Sequence, residues 1–204
     1  MPILPQTSSK ILISLALVLG ALVVGSAASG QREVNITSDS EHGWVPSEEL
    51  ERQAQAALAT YFSFVDNGSH RRTYEMLTDG HKTLLSFEKF QEMAVRFKTD
   101  AGSLTKRRIV KVNWTKGSLA APDLGTYVAV DFAAKYTLID RDCGFIILRQ
   151  SPLGGPFEVA RVEDNYITNK SAETIARTNS RANLDQTWAA LSTNCPNFSP
   201  EIPK

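Results

Sequence analysis

The chain has 204 residues, 42% of them apolar and 22% charged, and its 22 basic residues balance its 22 acidic ones. That is the composition of an ordinary globular protein, which excludes a fibrous or disordered chain and leaves room for one or at most two domains. With a formal charge of zero no overall field draws the protein to nucleic acid or to an anionic lipid surface, so nucleic acid is not an expected partner.

In chain order, Ile11 to Val24 is an uncharged apolar run, preceded by a single cation, Lys10, and followed by the small residues Gly25 to Ser29. This is the layout of a secretory signal with cleavage after Ala28. The alternative is an uncleaved anchor over residues 11–28, the one expected attachment to a membrane. In both cases the remainder is expected to be translocated, to the periplasm or to the outside. Residues 29–46 are polar, carry no sustained periodicity and read as a linker.

A folded domain is expected over residues 47–169. Ser47 offers a helix cap with acidic residues in the first turn, and Leu50, Ala54, Ala57, Leu58, Tyr61, Phe62 and Val65 recur at helical spacing until Asp66-Asn67-Gly68. A short second helix is predicted over Ser69 to Leu77, ending near Asp79-Gly80. A third is predicted from Ser86, with Phe87, Phe90, Met93, Ala94 and Phe97 as its stripe and Gly102 as its stop. After Gly102 the period changes from helical to alternating. Four strands are predicted: Arg108 to Thr115, with Val110, Val112 and Trp114 on one face; Leu124 to Leu138, with Val128, Val130, Phe132, Ala134 and Tyr136 inward; Cys143 to Gln150; and Phe157 to Ile167. Asp140-Arg141-Asp142 is read as the turn before the third strand, and the Pro- and Gly-rich stretch 151–156 as the turn before the fourth.

The fold class is therefore α+β, with N-terminal helices packed on a curved antiparallel sheet of about four strands. Residues 170–204 form a polar tail whose Leu184, Trp188 and Leu191 mark one docking helix. Cys143 and Cys195 lie in the translocated part, and their one possible intramolecular pairing is with each other; two unpaired thiols are the alternative.

The helix ending at Asp66-Asn67-Gly68, the Ser86 to Phe97 helix, Ala121-Pro122-Asp123 before the strand Tyr127 to Phe132, and the closing Phe157-Glu158-Val159-Ala160 together resemble an exported bacterial family of uncharacterised function. The resemblance spans roughly residues 48–168. It implies a fold similar to nuclear transport factor 2, a bent sheet forming a cone around helices, and a compartment outside the cytoplasm, but no chemistry. Phe157 stands where that family commonly has Trp, and Arg161-Val162 where it commonly has Gly-Tyr.

Catalysis in such a cone needs a carboxylate or imidazole held in an apolar pocket with a donor for an oxyanion. Asp131 alternates with Val130 and Phe132 and is expected outside the cone, solvated beside Lys135. Asp164 and Tyr166 share a face with Val162 and are the candidate pair, with His81, in a loop after Asp79-Gly80, as a further base. Lys106-Arg107-Arg108 reads as a solvated rim, with anion or headgroup contact as the alternative. Three scattered histidines provide no metal site, and no cofactor is expected. The leading expectation is an envelope protein without enzymatic activity, binding a small apolar ligand or a protein partner, with Val130, Phe132 and Tyr136 facing the ligand. The alternatives are an isomerase- or hydratase-like enzyme using Asp164 and Tyr166, and a subunit of an envelope complex.

Overall fold

The structure, a computed structural model, describes residues 34–195. The apolar N-terminal segment, the cleavage point at Ala28 and the Pro-rich end lie outside the described residues.

The linker is not featureless. Asn35–Ile36 forms a two-residue strand, β1, running parallel to a strand at the edge of the expected meander and paired with Asn113 and Trp114. Thr37 donates its amide to the Trp114 carbonyl at 2.9 Å, and Trp44 packs on Trp114 with ring centroids 6.3 Å apart. The sheet edge thereby gains partners for backbone groups that would otherwise face water.

Helix α1 (Glu48–Asp66) starts where Ser47 Oγ accepts the Leu50 amide, and three acidic residues in its first turn face the positive end of the helix dipole. Helix α2 (His70–Glu75) follows after Gly68. The stretch expected to be a loop after Asp79-Gly80 is instead a further helix, α3 (Asp79–Leu84), because Thr78 Oγ1 accepts the His81 amide and caps it. Helix α4 (Phe87–Ala101) is capped by Ser86 and ends at Gly102, whose φ of 73° is in the left-handed region that glycine enters without strain.

Strands β2 (Leu104–Lys116), β3 (Thr126–Tyr136), β4 (Ile139–Gln150) and β5 (Glu158–Thr168) form the antiparallel meander, so the sheet has five strands in the order β1-β2-β3-β4-β5 and is open. The turn between β3 and β4 lies at Thr137-Leu138; Asp140, Arg141 and Asp142, read from the sequence as that turn, belong to β4.

Cross-strand register sorts the inner face into four rows. Trp114, Val128, Leu148 and Val159 make the first, and Val112, Val130, Ile146 and Val162 the second. These rows and the apolar stripe of α1 form the main core, in which Ile146, Leu148 and Val159 have no accessible surface. Burying each such side chain contributes roughly 1.5–3 kcal/mol. The third row is Ile109, Phe132, Gly144 and Asp164, and the fourth sets Arg107 opposite Ala134 and Asp142 opposite Tyr166. The chemistry-bearing side chains therefore stand at one end of an otherwise apolar face.

A bulge in β2 decides who is in the fourth row. Strict alternation back from Trp114 points Val112, Val110 and Arg108 inward. A register shift between Ile109 and Lys111 puts the extra residue at Val110 and brings Ile109 and Arg107 to the inner face instead. Arg107 is thus not part of a solvated rim. On the outer face, Asp131 pairs in register with Lys111 and Phe145 and is 3% exposed, a correction to its expected solvation: it stands on an inner strand of the sheet, flanked on both sides by β2 and β4.

The tail forms two helices, α5 (Asn169–Thr178) and α6 (Arg181–Ser192), where one was expected. Thr168 Oγ1 caps α5 at the Ser171 amide, and Asn179-Ser180 break the chain before α6. Ala172, Leu184 and Trp188 form a second core with Ile167, Cys143 and Cys195, and a disulfide joins Cys143 on β4 to Cys195 past the end of α6. Arg141 adds an ion pair to Asp185 at 2.7 Å. No helix among the described residues is long and apolar enough to cross a membrane.

Candidate functional site

Six elements, α1, α4 and the strands β2 to β5, converge at the polar end of the inner face. From β2, Arg107 donates Nη1 to Asp66 Oδ2 at 3.0 Å and Nη2 to Asp66 Oδ1 at 2.9 Å, a bidentate pair with the last residue of α1. Its guanidinium lies 4.0 Å from the Phe62 ring centroid, one turn earlier on the same helix, and Nη2 is 3.5 Å from the Tyr136 hydroxyl. The Arg107 Nε is buried without an acceptor.

From β4, Asp142 is 5% exposed, and its Oδ1 accepts the Ala134 amide at 2.7 Å. Its Oδ2 is buried and receives no donor from a neighbouring amide or hydroxyl. Asp164, from β5, faces it. Two ionised carboxylates held close together repel, so the pair favours keeping one proton. Burial, and then the charge of Asp142, push the Asp164 carboxyl well above the usual carboxylate range, against the opposing pull of Arg107. Burial also pushes Asp142 up to about 6, against the Ala134 amide and the Arg107 charge. The two carboxyls titrate as a pair, so the proton belongs to the pair.

Asp164 nevertheless retains substantial accessible surface. Solvent at that surface moderates the rise that burial imposes. Gly144 makes the space: a Cβ there would lie 2.8 Å from Asp164 Oδ1 and 2.8 Å from Phe132 Cζ, and against the Glu163 carbonyl.

Tyrosines complete the cluster. Tyr136 is pushed up to about 12 by burial and then by Asp164, and Tyr61 on α1 is raised by the same two causes in the same order. Both hydroxyls stay protonated at neutral pH and both sense Asp164. The Phe97 ring, from α4, stands edge to face against Tyr136 and Tyr166, 5.4 Å from each centroid.

Of the residues proposed from sequence, Asp164 lies in this cluster and Tyr136 beside it. Tyr166 lines the same end, but its hydroxyl is 3.5 Å from Asp100 on α4 and its coupling to Asp164 is a minor one. His81 is elsewhere: Nδ1 lies 3.2 Å from the Ala160 carbonyl, four residues along β5 from Asp164, about 13 Å of strand. Val130 and Phe132 face inward, yet at 2% and 3% exposure they are packed into the core against α1, Phe132 edge to face with Phe62. Among the described residues no group of three or more His, Cys, Asp or Glu is placed to hold a metal ion.

From the sequence Arg107 reads as rim, Asp142 as turn, Tyr61 as helix stripe and Asp66 as helix end, and none of the four as a site residue. Asp142 had a signal: alternation back from Leu148 through Ile146 and Gly144 reaches it once the turn is placed at Thr137-Leu138. Arg107 had none, since the bulge that turns it inward leaves no mark in the hydrophobic pattern.

No curated protein and no solved structure matches this chain. The model of one protein family does, over residues 56–160, a span that holds Arg107, Tyr136 and Asp142 and stops just short of Asp164. The match covers just over half of the chain, which therefore belongs to the family described as protein of unknown function DUF4019.

Proposed function

We propose that this is an exported protein of the bacterial envelope whose nuclear transport factor 2-like domain binds a small ligand at the polar end of its inner face. One observation carries the reading: an accessible Asp164 beside a buried Asp142, next to Arg107 and the Phe97–Tyr136–Tyr166 rings, on a face that is otherwise apolar core. A few polar groups converging in apolar surroundings are what a small-molecule site requires. The order of helices followed by an antiparallel meander supports the fold assignment. Export is supported by the signal-like order of residues 10–29 and by the Cys143–Cys195 disulfide, which suits an oxidising compartment.

Native mass spectrometry of the protein purified from envelope fractions tests both parts. The expected result is a chain beginning at Ser29 that gains one disulfide's hydrogens on reduction, carrying a small co-purified molecule that Asp164→Asn fails to retain. A full-length chain with free thiols rejects export with cleavage. Binding is rejected by a ligand-free chain whose melting temperature no member of a metabolite library shifts.

A second reading is favoured by the raised carboxyls. Asp142 and Asp164, holding one proton as a pair, are a ready acid and base for proton transfer in an isomerase- or hydratase-like reaction, with Tyr136 better placed than Tyr166 to assist. Unchanged turnover of a discovered substrate by Asp164→Asn rejects it.

A further inference from the structure

Resting on the reading that the polar end of the inner face is a ligand site, we propose that its ligand is an organic cation, an ammonium group on an aromatic or apolar body, seated between Asp142 and Asp164.

The charges at the site favour one sign. Arg107 is the cation that faces the two carboxyls, and both its terminal nitrogens are engaged by both oxygens of Asp66, which leaves that pair neutral. Arg96 and Asp100 on α4, the charged groups beside Tyr166, lie 3.9 Å from each other. What remains is Asp142 and Asp164, with one proton between them and one negative charge. Tyr61 on α1, Tyr136 on β3 and Tyr166 on β5 face the pair as neutral hydroxyls.

The second observation is independent of charge counting. Asp142 is 5% exposed, and its Oδ2 is buried with no hydrogen-bond partner. An ammonium carries three donors and no acceptor, so it satisfies this oxygen and Asp164 together. The rings of Phe97, Tyr136 and Tyr166 then lie within the ligand's reach, and aromatic faces attract cations. An anion would bring a further negative charge against the pair. A neutral acceptor would find the pair's proton as its donor, because the Arg107 Nε is buried.

Seating the ammonium makes the shared proton redundant. The step balances as one cation in and one proton out to solvent, with both carboxyls then ionised. Affinity therefore rises with pH for as long as the free pair holds its proton.

Three probes of one shape and different charge test this on the mature, disulfide-closed chain: benzylammonium, benzyl alcohol and benzoate. Calorimetry in two buffers of different ionisation enthalpy counts protons, and carboxyl carbon resonances report on Asp164 directly. Benzylammonium is expected to bind about tenfold or more tighter than the alcohol, which is about 1.4 kcal/mol, with release of about one proton per site. Benzoate is expected not to bind. Asp164→Asn should abolish proton release; if that variant does not fold, the proton count on the unaltered chain decides alone. Tighter binding of the alcohol, or of benzoate with proton uptake, overturns the cation and leaves the ligand site standing. No response of Asp164 to any probe overturns both.

Discussion

Arg107 and Asp66 stand 41 residues apart in the chain and meet through two hydrogen bonds, joining the inner face of β2 to the end of α1. The Arg107 side chain is 11% exposed and that of Asp66 33%, so the pair is partly shielded from water. Replacing Asp66 with Ala leaves a mostly buried guanidinium without its counter-charge. The expected cost is about 2 kcal/mol, below the range for fully buried pairs because water still reaches Asp66. Urea denaturation measures it, and Arg107→Met in the same background should recover part of the loss.

The carboxyl pair makes stability depend on pH with a definite sign. Both folded-state pKa values are raised, so the folded protein binds more protons than the unfolded chain above the ordinary Asp value of 3.8. The contribution is fully present below that value and is lost as pH rises through the raised values of the pair, about 6 for Asp142. Lowered carboxyls such as Asp39 act in the opposite direction, so the difference between the unaltered chain and Asp164→Asn isolates the pair. The unaltered chain should lose stability relative to Asp164→Asn between pH 4 and pH 7. Denaturation midpoints across that range check it, and a constant difference argues against the shared proton.

Gly144→Ala should disturb the site at its floor. The added methyl meets the Phe132 ring, the Asp164 carboxyl and the Glu163 carbonyl, and the last is backbone that cannot rotate away. Overpacking of this kind costs about 1–3 kcal/mol. Thermal unfolding reads the loss, and the Asp164 carboxyl resonance should move with it.

The disulfide closes a loop of 52 residues that includes β5, α5 and most of what holds the helical hairpin to the sheet. Changing Cys143 and Cys195 to Ser together should cost about 4 kcal/mol, mostly by freeing the unfolded chain. Amide exchange should rise first in 169–192, while the α1 core stays protected. Because Cys143 follows Asp142 directly on β4, the Asp142 resonance should shift as well.

Much of this architecture is written in local patterns. The stripes on α1 and α4, the Ser47 and Ser86 caps, the stop at Gly102 and the inward set from Val128 to Tyr136 follow from periodicity and backbone preference. So does Asp164 on the inner face, since alternation from Val162 places it there. The rest was decided by tertiary structure. A polar segment such as Asn35–Ile36 becomes a strand because an exposed edge accepts it, and Lys170 to Thr178 becomes a helix because Ala172 and Ile175 find an apolar surface behind β4 and β5. Arg107 reaches the site through one extra residue in β2, and Asp142 through a turn that begins three residues earlier than the charged triplet implied. Period-two alternation reports a side chain's face only while the register is unbroken. A bulge reverses every face beyond it, and its position depends on the partner strand and the packing between them.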